Sequence, residues 1–95
     1  MQTNIFTIRR HLMVVNDEVL QEGFPDKVIN EVFKACGESV GVLLQQLTAI
    51  CSSRSEKRRL ESLKRWISES RRRFGEPCTN SLGKAIVWLK EQGQC

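Results

Sequence analysis

Residues 26–52 read DKVINEVFKACGESVGVLLQQLTAICS, and the periodicity of this stretch decides the fold class. Advancing about 100° per residue lines up Ile29, Val32, Phe33, Cys36, Val40, Leu43, Leu44, Leu47, Ile50 and Cys51 as one apolar stripe. Strands would alternate with a period of two, and nothing here does. Gly37 and Gly41 each weaken a helix by roughly 1 kcal/mol relative to alanine. The stripe nevertheless keeps its phase across both, which predicts one long central helix with a bend or close contact near the glycines. Two helices broken between Gly37 and Gly41 are the alternative. Pro25 and Asp26 suit a helical first turn. Val28, Ala35, Val42 and Ala49 form a second ridge of small residues, where another backbone can approach.

The same pattern extends outward in both directions. Upstream, Ile5, Ile8, Leu12, Val15 and Val19 make a stripe that Thr3 or Asn4 can cap and that Gly23 ends, with Phe24 closing back on the last turn. Phe6, Met13 and Leu20 form a second apolar edge on this segment, more than one neighbour can cover, and are expected to pair across a homodimer interface. Downstream, Ser53 and Glu56 fit a capping box. Leu60, Leu63, Ile67 and Phe74 follow as a core face, with Trp66 at one edge, and Gly75 and Pro77 end the segment. Leu82, Ala85, Ile86 and Leu89 make the last stripe, beside Trp88, capped by Thr79, Asn80 or Ser81. The expectation is all-α: a single domain over residues 1–95, with helices over 4–22, 26–52, 54–74 and 80–92. Short connections imply a four-helix up-and-down bundle-like arrangement, and the spare apolar edge implies a dimer.

A chain of 95 residues holds one core, and 40% hydrophobic with 27% charged residues is an ordinary globular composition. No segment reaches the ~20 apolar residues that span a bilayer. Arg9, Arg10 and His11 interrupt what would be a signal-peptide core, so an intracellular site, cytoplasmic or nuclear, is expected. Cys36, Cys51, Cys78 and Cys95 form no C-x-x-C pair. Cys36 and Cys51 fall on the core stripe and read as buried thiols, which behave as small hydrophobes. On that reading the fold ignores reductants and chelators. His11 is the sole histidine, so no metal site is expected. There is no Gly-rich phosphate loop, no Ser/His/Asp set and no apolar carboxylate pair; neither cofactor nor enzymatic activity is expected.

Charge is the remaining signal. Fifteen Lys and Arg against eleven Asp and Glu leave a net charge of +4, and the excess concentrates between Arg54 and Arg73. Projected on a helix, Arg54, Arg58, Arg65 and Arg72 fall in one sector opposite the core face, flanked by Lys57, Lys64 and Arg71. At about 1.5 Å per residue the row is roughly 27 Å long, near one turn of duplex. A solvated face explains part of it. Glu61 can pair with Arg65, and Glu69 with Arg73, at the i,i+4 spacing, while Arg71, Arg72 and Arg73 suit a helix C-terminus. The cations of the first turns do not, because the helix dipole opposes them there.

Together these features predict a non-enzymatic regulatory or sequestering protein that binds duplex RNA or DNA, RNA slightly favoured, by shape and charge. Its contacts would be Arg54, Lys57, Arg58, Lys64, Arg65, Arg71 and Arg72. The design inferred here is similar to that of the small dimeric helical viral silencing suppressors, which coat double-stranded RNA, although no motif is shared. The competing reading is a protein-interaction module that grips a partner helix with the spare edges Phe6/Met13/Leu20 or Val28/Ala35/Val42.

Overall fold

A computed structural model describes residues 24–95, all helix, turn or loop with no strand among them. Phe6, Met13 and Leu20, and the helix expected over 4–22, lie outside the described residues. Four α-helices follow: α1 Asp26–Cys36, α2 Val40–Cys51, α3 Glu56–Phe74 and α4 Glu76–Glu91, with a 3-10 turn, Gly37–Ser39, between the first two.

α1 begins where expected. Pro25 holds φ at −66°, and its carbonyl accepts the first helical bond from the Ile29 N–H at 3.1 Å. Asp26 in the first turn complements the dipole. The long central helix does not form. Gly37 takes φ +68° and ψ −147°, a region that a residue with a Cβ rarely visits, while its N–H still donates to Phe33 O. The chain makes one 3-10 turn and starts again at Val40. The stripe keeps its phase because α1 and α2 bury their faces in the same core. Val32 of α1 and Val40, Leu44 and Leu47 of α2 are fully buried together. Gly41 lies inside α2 and does not interrupt it.

The boundaries of the last two helices also move. Ser53 is still engaged in ending α2, its N–H donating to Ile50 O at 3.2 Å. The cap of α3 is therefore Ser55, whose side chain accepts from the Arg58 N–H at 3.3 Å. Arg54 lies ahead of this cap, off the helix. Gly75 (φ +92°) ends α3, and α4 starts at the next residue with Pro77 in its first turn, so that proline opens a helix instead of closing one. Thr79 and Ser81, expected at a cap, are buried inside α4. Thr79 Oγ1 donates to Gly75 O, and Ser81 Oγ crosses to Glu31 O of α1, each at 3.0 Å.

α4 packs on α1 and α3, and α2 packs on α1 and α3. Ile29, Leu44, Leu47, Leu82 and Cys78 are among the largest groups at the centre. Phe24 closes one side of the core, its ring 5.5 Å from that of Trp88. Leu60, placed in the core by its spacing, is 46% exposed. It lies about 60° around α3 from buried Leu63, away from α2 and beside Lys64 and Arg71.

The free-thiol reading of the cysteines is overturned. Cys36 is bonded to Cys78 and Cys51 to Cys95, with Cα separations of 4.8 and 4.6 Å. Each cysteine sits at a helix end or in the tail: packing α4 on α1 brings Cys78 to Cys36, and the tail after α4 returns to the end of α2, where Cys95 meets Cys51. Cys36 and Cys51 do face the core, as the stripe requires, but as halves of crosslinks. No helix of the described residues is long and apolar enough to cross a membrane.

Candidate nucleic-acid interface

An uninterrupted run of nineteen residues, α3, carries the basic face. It is a helix because its residues are strong helix formers without interior Gly or Pro, and because Leu63 anchors it in the core. Arg58, Arg65 and Arg72 recur every seven residues and so stay within about 40° of one another, over ~21 Å of helix. Lys57, Lys64 and Arg71 run one residue behind, in a row displaced by about 100°. All six are exposed. Arg54 is exposed as well, but it lies in the turn before Ser55, which shortens the helical track from the ~27 Å expected.

The side chains of Arg54, Lys57, Arg58, Lys64, Arg65 and Arg71 have no ion pair or hydrogen bond within the described residues; the ion pair on this face is Arg72 with Glu69. Glu61 does not engage Arg65. Glu69 turns to Arg72 at i,i+3 in place of Arg73 at i,i+4. The Arg72 hydrogen bond and charge, with Arg73 nearby, hold the Glu69 carboxyl below its ordinary range, and Glu69 in turn raises Arg72. Both partners are well exposed, at 51% for Glu69 and 74% for Arg72. Such a pair is worth at most a small fraction of the stability.

Two other arginines serve the protein itself. Arg59 reaches back from the first turn to donate to Ser53 O at 3.0 Å. Arg73 lies over the Phe74 ring, 5.2 Å from its centroid. The first-turn cations therefore divide. Arg59 has a partner, whereas the side chains of Lys57 and Arg58 stand against the dipole with none among the described residues.

Beside the basic face, α2 and α3 diverge to leave a groove of about 410 Å³. Leu43, Ala49 and Ile50 line it from α2, and Trp66 and Phe74 from α3, where Arg65, Glu69 and Arg73 also border it. Trp66 is half-buried, and its indole Nε1 donates to Gln46 Oε1 at 3.0 Å, which fixes the ring. Sequence periodicity gives no sign of the groove beyond Trp66 at the edge of the core stripe, a residue larger and more polar than an edge position needs.

The small-residue ridge Val28/Ala35/Val42 does not survive as one surface. The turn at Gly37 separates its α1 part from its α2 part, and Val42 alone of the three is well exposed, at 47%. Among the described residues no group of His, Cys, Asp and Glu could hold a metal ion. Comparison with family models, curated proteins and solved structures yields no match to this chain, so the reading of the face rests on its own residues.

Proposed function

We propose that the protein binds duplex nucleic acid without enzymatic activity, laying α3 along the phosphate backbone. Arg58, Arg65 and Arg72 form the row, with Lys57, Lys64 and Arg71 beside it and Arg54 extending it past the cap. The observation that carries this reading is a helix face with several exposed cations that, among the described residues, have no acidic partner except at Arg72. Arginine suits phosphate because its planar fork donates in pairs. α3 carries no Asn or Gln with which to read adenine edges, and a row of cations repeating every seven residues matches a regular phosphate backbone, so recognition follows shape and charge. A regulatory or sequestering role fits a binder of that kind.

The dimeric bundle remains part of the proposal. Pairing through Phe6, Met13 and Leu20 would double the track that one +4 chain presents. Cytoplasmic or nuclear placement, natural for such a binder, stands against the paired cysteines, because disulfides persist mainly outside reducing compartments. Labelling free thiols in protein taken directly from cells decides between them.

The direct test is a gel-shift panel of duplex RNA, duplex DNA and single strands. Both duplexes should be retained at low salt, and a folded Arg58→Gln/Arg65→Gln/Arg71→Gln/Arg72→Gln variant should retain neither. A wild-type protein that ignores duplexes, or a variant that shifts them equally well, overturns the proposal.

A further inference from the structure

The geometry points to the α2–α3 groove as a pocket for an unpaired nucleotide flanking or bulging from a duplex held on the basic face. This deepens the proposed function and rests on it. The groove and the face share a residue: Arg65 belongs to the exposed row and also lines the groove, and Arg73 lines it about two turns further on. A backbone following the row therefore passes the mouth of the groove.

Its chemistry is that of a nucleotide site. The apolar residues Leu43, Ala49, Ile50 and Phe74 line the interior together with the indole of Trp66, while guanidinium groups stand at the α3 side. An apolar floor with an aromatic ring suits a base, and the guanidiniums suit its phosphate. Trp66 is held in place by Gln46, whose carbonyl oxygen accepts the indole N–H, leaving the amide N–H2 of Gln46 able to donate to a base edge. The volume, about 410 Å³, lies within the ~300–1,000 Å³ of small-ligand sites. It is the size of a cleft for a base and its sugar; a docked helix needs a longer trough. Glu69 at the same rim bears a negative charge, but its carboxylate is engaged by Arg72.

The test compares the oxidised, full-length protein on a flush duplex and on the same duplex with one bulged nucleotide. A stacked base contributes about tenfold in affinity, the lower part of the range for aromatic stacking, so the bulged duplex should bind about ten times tighter. Ala49→Met fills the groove from an exposed position and should bring that ratio to about one, leaving flush-duplex affinity unchanged. Emission from Trp66, read in a Trp88→Phe background, should fall with the bulged duplex and not with the flush one. Equal affinity for both duplexes overturns the pocket while leaving duplex binding intact, and so does a ratio that Ala49→Met leaves unchanged. Failure to bind either duplex removes both proposals. Tight binding of an acidic amphipathic peptide, abolished by Ala49→Met, with no response to the bulge, assigns the groove to a protein partner and also overturns the pocket.

Discussion

Three arginines neighbour Glu69 on the helix surface at i−4, i+3 and i+4, namely Arg65, Arg72 and Arg73, and its carboxylate pairs with Arg72. Spacing alone matches it to Arg73, but i+3 and i+4 both lie beside it on a helix, and a difference of one residue is finer than spacing resolves. The pair also sets the sign of a pH effect. A carboxyl held below its ordinary range contributes stability that is present above that range and lost as the pH falls through the lowered value. At neutral pH the pair is intact and partly neutralises the face. Glu69→Gln is therefore expected to tighten duplex binding and to steepen the salt dependence by up to about one phosphate contact. Stability should barely change, as for exposed substitutions generally. Anisotropy titrations at several salt concentrations check this. Weaker binding would mean that Glu69 orients Arg72 for its contact rather than neutralising it.

At the scale of elements, periodicity identifies which residues are buried better than it identifies where helices stop. Ile29, Val32, Leu43, Leu44, Leu47, Leu82 and Leu89 all fall on predicted core faces and all are buried. The breaks are harder to see. An uninterrupted stripe is the same for one helix as for two that share a core, so only the backbone at Gly37 distinguishes them. The Ser53–Glu56 box fits α3 by pattern, yet Ser53 is already taken up by the end of α2, and a local motif carries no record of that. Two glycine substitutions should move stability in opposite directions. Gly37→Ala forces a Cβ into positive φ and is expected to cost about 1–3 kcal/mol, although the space around it is open. Gly83→Ala, inside α4 with no neighbour within 4 Å of the place its Cβ would take, is expected to stabilise by up to about 1 kcal/mol. Urea unfolding of both variants checks the pair; a stable Gly37→Ala protein would show that α1 and α2 can join as one helix.

For the whole molecule, the crosslinks are what the sequence could least reveal. Four cysteines permit three pairings, and the choice depends on how α4 lies against α1 and where the tail after α4 meets the end of α2. The bonds close loops with sequence separations of 42 and 44. Chain entropy assigns about 4 kcal/mol to a loop of that size. The two loops overlap, so their contributions do not simply add. Reduction is expected to lower the melting temperature by more than about 15 °C, at ~4–8 °C per kcal/mol for a domain of this size. Melts followed by circular dichroism, with and without reductant, check it, and coincident curves would contradict the pairing. The basic face was legible in the sequence because charge on a helix surface depends only on local periodicity. Its function is tested most directly by the salt dependence of duplex DNA affinity, measured on the oxidised protein and on Arg65→Gln. Log affinity should fall linearly with log salt, and Arg65→Gln should flatten that slope by about 0.9 for each phosphate that the variant no longer neutralises, or twice that in a dimer. An affinity indifferent to salt, or identical slopes for the two proteins, would contradict a phosphate-binding role for α3.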